Sequence, residues 1–248
     1  MANDTLPLVK ALAAPTRAQA QGAALGFMLA VPVFALARGL DPSAGPGAAL
    51  LALGLFVTSA AAALQAMAPL GYARPSFGAP NAVTLLRLAL VCTLAVALVR
   101  DGLLASNGLA VFAIAVLALL LDGLDGWLAR RGGRGTAFGA RFDMEVDAGL
   151  ACMLSLILMV AGHVGAEILI LGFSRYAFIV AGWGLPWLRA PLPERFGRKV
   201  VCVLQVGALC LLLLPGLPTG LARALALGAA SALLWSFGRD FLYLARRR

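Results

Sequence analysis

Five of the chain's eleven acidic residues fall between positions 122 and 147: Asp122, Asp125, Asp143, Glu145 and Asp147. An α-helix turns about 100° per residue, so Asp122, Asp125, Gly126, Ala129 and Arg130 share an arc of roughly 140°. Gly139, Asp143 and Asp147 recur at intervals of four and line one stripe of a second helix. Glu145 lies off that stripe and is expected to face elsewhere. The Gly132–Gly135 segment is short enough to make the two helices antiparallel neighbours. Four aspartates then converge on one point. Converging carboxylates repel one another unless a cation sits between them. Hard divalent ions such as Mg²⁺ or Mn²⁺ take oxygen ligands and bridge carboxylates to phosphates. Two such ions, clamping an attacking and a leaving oxygen, suit phosphoryl transfer. The missing side chains of Gly126, Ala129 and Gly139 leave room for a nucleotide or phosphate against the helix backbones. Arg130 offers that phosphate a fixed cation. Charges that merely cap helix ends account for one or two aspartates, not for four on matched faces.

The elements that position these residues follow from composition. Of 248 residues, 62% are hydrophobic and 12% charged, and the mean hydropathy is +0.93. Soluble domains carry about 25% charged residues. So apolar a chain cannot cover a surface facing water, and carboxylates in its membrane segments are functional candidates. A bilayer core needs roughly 20 apolar residues per helix. Eight stretches qualify, at about 19–38, 46–70, 81–100, 105–129, 140–162, 165–188, 198–216 and 220–244. The expected fold is an all-α polytopic membrane bundle: an N-terminal lead-in and two helices over 1–75, then a six-helix unit over 76–248. No cleavable signal peptide is expected at the N-terminus. With the N-terminus inside, sixteen of the twenty basic residues fall on the cytoplasmic side and three on the other. That places both termini and the aspartates at the cytoplasmic face of the cell (inner) membrane. The net charge of +9 reads as this orientation bias, since the arginines flank apolar runs rather than form a patch for nucleic acid.

The run Asp122-x2-Asp125-Gly126-x2-Ala129-Arg130-x8-Gly139-x3-Asp143-x3-Asp147 resembles the signature of the CDP-alcohol phosphotransferase family, with every fixed position filled. The resemblance implies a six-helix core, two divalent cations and a homodimer. It implies that Asp122, Asp125, Asp143 and Asp147 ligate metal and that Asp147 also serves as general base. Gly126, Ala129, Arg130 and Gly139 would hold the cytidine diphosphate part. Pro80-Asn81-x2-Thr84-x2-Arg87 resembles the stretch many members carry at the start of their first core helix, which would place Asn81 and Thr84 near the nucleotide. The competing reading makes Asn81 a helix cap and Arg87 an interfacial anchor.

The function expected from this resemblance is transfer of a phosphatidyl group from a CDP-linked lipid to a polar alcohol, with release of CMP. The same motif serves the reverse pairing, a CDP-linked head group passed to diacylglycerol. A divalent-cation transporter is the alternative from another class, but it would need acids deeper along several broken helices. Arg175, inside the sixth stretch, either binds an acceptor phosphate or forms an ion pair. Arg195, Arg198 and Lys199 open the seventh stretch, as an acceptor pocket or as a cytoplasmic anchor. A Gly-Lys-x-Lys-Thr-x2-Gln stretch, carried by several phosphatidyltransferases, is only partly matched by Gly197-Arg198-Lys199 and Gln205. His163, the lone histidine, falls in a loop and excludes a histidine-based metal site or triad. The four cysteines lie in apolar runs without a CxxC pair, which disfavours zinc or a disulfide. Trp183, Trp187 and Trp235 are expected in the interfacial belts.

Overall fold

Each apolar stretch folds as a helix, because backbone groups in hydrocarbon must be satisfied within a helix or a closed barrel. The computed structural model describes residues 16–43, 45–131, 136–162, 164–190 and 196–246; the side chains of Asp125, Trp127, Ala129, Arg130, Arg131, Arg189, Phe196, Arg198 and Lys199 are outside that description. The described residues are all-α. Helix α1 spans Arg17–Leu40 and α2 spans Gly47–Ala66. Helix α3 spans Ala79–Thr93 and is continued by one turn at Val96–Val99. Helices α4 and α5 span Leu103–Arg131 and Ala137–Val160. Helix α6 (Ile168–Gly184) ends in a 3₁₀ turn at Pro186–Arg189, and α7 and α8 span Phe196–Leu212 and Thr219–Ala245.

Among the described residues five spans are long and apolar enough to cross a membrane: α1, α2, Ala79–Val99, Leu103–Leu124 within α4, and α8. Helix α6 and the Val200–Leu212 part of α7 are apolar but shorter. Helix α5 has 24 residues and the length to cross, yet it is not among them. Arg141, Asp143, Glu145 and Asp147 crowd its first half and lower its hydropathy. The expectation of eight membrane helices is thus met as eight helices, three of which are shortened or charged. The chain is a multi-pass membrane protein.

Local chemistry sets the helix starts. Thr16 and Gln19 form a reciprocal capping box on α1. Gly78, at φ 83°, caps α3, and Pro80 falls in its first turn, where a missing N–H costs nothing. Asn81 is therefore not the cap. Thr136 caps α5, its hydroxyl accepting the Gly139 N–H at 2.9 Å.

Helix α3 is the hub. It packs against α1, α2, α4 and α5, and residues from Leu88 to Ala97 are buried without interruption. Helix α5 packs on α3, α6 and α7. Gly172 lets α6 approach α5 closely: a Cβ there would lie 2.8 Å from the Ser155 Cβ and 3.1 Å from the Ala151 carbonyl oxygen. The axis of α4 breaks at Asn107 (φ −130°, ψ 26°), whose side chain donates to the Leu40 carbonyl at 2.9 Å. Helices α1 and α2 are fastened to the rest at both ends. At one end the Gln21 side chain accepts the Phe77 N–H at 3.0 Å, and at the other Arg100 pairs with Asp41 at 2.6 Å. Large apolar side chains such as Phe27 and Val31, and also Trp183 and Trp235, face outward, as a lipid-facing surface requires. Trp187 instead packs edge-on against Phe241, with ring centroids 5.1 Å apart.

Candidate active site

The final turns of α4 deliver Asp122, and the first turns of α5 deliver Asp143 and Asp147 one turn apart. One carboxylate oxygen from each lies within 4.8 Å of the others, a spacing that suits a shared cation. Asp125 belongs to the same helix end, but its side chain lies outside the described residues, as do those of Ala129 and Arg130. Gly126 is part of the described α4 and is half-buried.

Arg87 sits at the centre of the cluster. Its Nη1 is 3.1 Å from Asp122 Oδ1 and 2.5 Å from Asp143 Oδ1, and its Nη2 pairs with Asp147 Oδ1. Its Nε donates to the Ala118 carbonyl at 3.2 Å. The side chain is 1% exposed, so the reading of Arg87 as an interfacial anchor does not hold. The sequence does carry a signal for it. Asn81, Thr84 and Arg87 recur every three residues, a spacing that keeps them on one helical face. An arginine within an apolar span needs a partner, and this chain has few acids to supply one.

The rest of that face braces the site. The Asn81 side chain donates to the Phe77 carbonyl at 2.5 Å and to the Tyr72 hydroxyl at 3.2 Å. The Tyr72 hydroxyl in turn lies 2.8 Å from the Ser76 carbonyl. Burial raises the Tyr72 phenol above its ordinary pKa, with Arg74 partly offsetting it, so the phenol stays a donor at neutral pH. Thr84 is buried and bonds the Pro80 carbonyl at 3.0 Å. A Cβ on Gly139 would stand 2.9 Å from Asn81 Oδ1 and 3.0 Å from Thr136 Oγ1. The bare backbone at 139 therefore admits the Asn81 carboxamide, which ties the start of α3 to the start of α5.

Glu145 points away from the aspartates. It pairs with Arg175 at 2.8 Å, with Arg141 4.0 Å away. Arg175 thus stands on a different face of α5 from Asp143 and Asp147. Arg195 and His163 lie outside the described residues. Arg198 and Lys199 occupy the first turn of α7, with side chains outside the description.

A family model described as CDP-alcohol phosphatidyltransferase matches residues 77–236. The chain belongs to that family. The match takes in the Asn81–Arg87 face, both aspartate helices and the helices after them up to residue 236, so the metal-suited cluster lies within the matched region of a CDP-alcohol phosphatidyltransferase. No curated protein and no solved structure gives a significant match. Membership makes the chain a transferase acting on a CDP-alcohol substrate.

Proposed function

We propose that this enzyme transfers a phosphatidyl group from a CDP-linked lipid, such as CDP-diacylglycerol, to a polar alcohol and releases CMP. The observation that carries the reading is the meeting of Asp122, Asp143 and Asp147 within 4.8 Å, inside a chain of this family. The residues present fit a divalent cation: all offered atoms are carboxylate oxygens, and the three carboxylates meet at the Arg87 guanidinium. Asp122, Asp125, Asp143 and Asp147 would hold two such ions, Mg²⁺ or Mn²⁺, which when bound would offset negative charge on the diphosphate.

The acceptor hydroxyl oxygen bonds to the phosphorus distal to cytidine. The bond from that phosphorus to the bridging oxygen breaks, and the bridging oxygen leaves with CMP. The hydroxyl proton passes to the Asp147 carboxylate. Arg87 holds Asp143 and Asp147 in place for that role. Gly126, Ala129, Arg130 and Gly139 would line the cytidine diphosphate, with Asn81 and Thr84 beside it. Arg175, Arg195, Arg198 and Lys199 are the candidates for the acceptor, and Arg175 would have to share itself with Glu145. The step relies on positioning and electrostatics rather than a covalent intermediate. The bias of basic residues supports a site, and both termini, on the cytoplasmic side of the cell membrane.

The test is CMP release by the purified chain with CDP-diacylglycerol, Mg²⁺ or Mn²⁺ and a panel of alcohols. Release should require both metal and acceptor, and Asp147→Asn should lower the rate by roughly 10²–10⁴-fold. Full activity in Asp147→Asn would remove its role as base. Release only from a CDP-linked head group with diacylglycerol would replace the proposed direction by its reverse.

A further inference from the structure

Helices α2 and α5 both pack on α3 and leave a cleft between them. The cleft encloses about 440 Å³. Ligand cavities run about 300–1,000 Å³, so this one has room for an occupant. Its walls are apolar, with Leu55 and Ala63 from α2, Val91 from α3, and Phe142 and Met153 from α5. On α5 these positions lie about 120° around the helix from the Asp143–Asp147 stripe. Asp122, Asp143 and Asp147 do not line the cleft. Its outer wall comes from α2.

Two observations define the occupant. From Arg141 the α5 side of the cleft runs to Met153, about 18 Å at 1.5 Å per residue. One leaflet of a hydrocarbon core is about 15 Å deep, half of its 30 Å, so the cleft matches a single lipid tail in length and character. Its polar end holds Arg141, Glu145 and Tyr176. Glu145 is engaged by Arg175 at 2.8 Å, while Arg141 stands 4.0 Å from it and is 67% exposed. Two guanidiniums against one carboxylate leave one positive charge at the mouth of an apolar slot. A basic residue at the headgroup level attracts anionic lipid.

We propose that this cleft seats one acyl chain of an anionic phospholipid, with the lipid phosphate on Arg141. The proposal gives α2 a task, closing a lipid slot on the flank of the enzyme. It does not depend on which donor and acceptor react at the aspartates. Gly149 provides a clean probe. It lines the cleft, and a Cβ there meets nothing within 4 Å. A larger side chain at 149 therefore enters the cleft without displacing its walls.

The full chain, in lipid nanodiscs, is irradiated with phosphatidylglycerol or phosphatidylcholine carrying the same diazirine-bearing acyl chain, and adducts are mapped by peptide mass spectrometry. Adducts should concentrate around Leu55–Ala63 and Gly149–Met153. Phosphatidylglycerol should label about fivefold more than phosphatidylcholine, the weight of one basic residue near the headgroups. Gly149→Leu should cut labelling by both lipids, and Arg141→Gln should erase the preference between them. Adducts spread over outward-facing Phe27, Trp183 and Trp235 with no enrichment in the cleft would overturn the proposal. So would a preference that survives Arg141→Gln, or a chain-to-chain cross-link from Gly149→Cys in place of lipid adducts. Arg141 is exposed, so its variant decides the matter even if a residue-149 variant folds poorly.

Discussion

Replacing Arg87 by methionine keeps the length of the side chain and removes its charge, which isolates the electrostatic work of the guanidinium. At 4.8 Å and an effective dielectric near 20, each pair of carboxylates repels by about 3.5 kcal/mol. In the wild type Arg87 answers that repulsion from 3.1 Å at Asp122 and 2.5 Å at Asp143, and it also pairs with Asp147. Removing one partner of a fully buried pair costs about 3–5 kcal/mol. Here the carboxylates are 34–44% exposed, so water relieves part of the strain and about 2–3 kcal/mol is expected. The assay is equilibrium unfolding of the purified chain in mixed micelles, in metal-free buffer and again with Mg²⁺ or Mn²⁺. Metal at 100 times its Kd should stabilise both chains by about 2.7 kcal/mol, and Arg87→Met should gain at least as much as wild type. Asp147→Asn in the Arg87→Met background should cost less than the sum of the single changes, since it removes one of the charges left unanswered. Equal metal-free stability of Arg87→Met and wild type, or additivity within about 0.5 kcal/mol, would refute the account.

Two glycine positions give sharper packing tests. Gly139→Ala drives a methyl to 2.9 Å from Asn81 Oδ1 and should lower stability by about 1–3 kcal/mol in thermal unfolding, with Asn81→Ala in the same chain recovering part of the loss. Gly172→Ala meets the Ser155 Cβ at 2.8 Å and should cost a similar amount, about 1–3 kcal/mol, with Ser155→Gly restoring the approach of α6 to α5.

The existence and order of the helices were legible because apolar runs of membrane length alternate with Gly, Pro and charge. The two aspartate stripes were legible because 100° per residue settles which side chains share a face, and Glu145 fell off the stripe for the same reason. Pairings distant in the chain were not legible. Arg87 meets Asp143 and Asp147 across 56 and 60 residues, and a basic residue near a helix start reads the same whether it faces lipid headgroups or a buried cluster. Gly139 was visible as a missing side chain, but its neighbour Asn81 comes from another helix. The choice between an ion pair and an acceptor contact at Arg175 turned on Glu145, thirty residues earlier. The cleft behind α5 was invisible for the same physical reason: its walls are distant in sequence and meet only through their shared packing on α3.

Among the described residues, three ion-paired places have similar distances but different charge patterns, and those patterns separate structure from site. Asp41 and Arg100 stand 2.6 Å apart. Glu145 faces Arg175 at 2.8 Å with Arg141 nearby, so its charge is more than answered. Such pairs satisfy themselves and hold helices together. Among the described ion pairs Asp122, Asp143 and Asp147 all converge on Arg87, three carboxylates on one guanidinium. Arg87 is 1% exposed and its Nε is held by the Ala118 carbonyl, so the cluster cannot balance itself by releasing that side chain to water. The aspartates also gain nothing from packing, since each is partly open. A membrane helix that keeps clustered carboxylates at such cost could hold a metal ion between them, and α5 forfeits the hydropathy of an ordinary span in order to keep them.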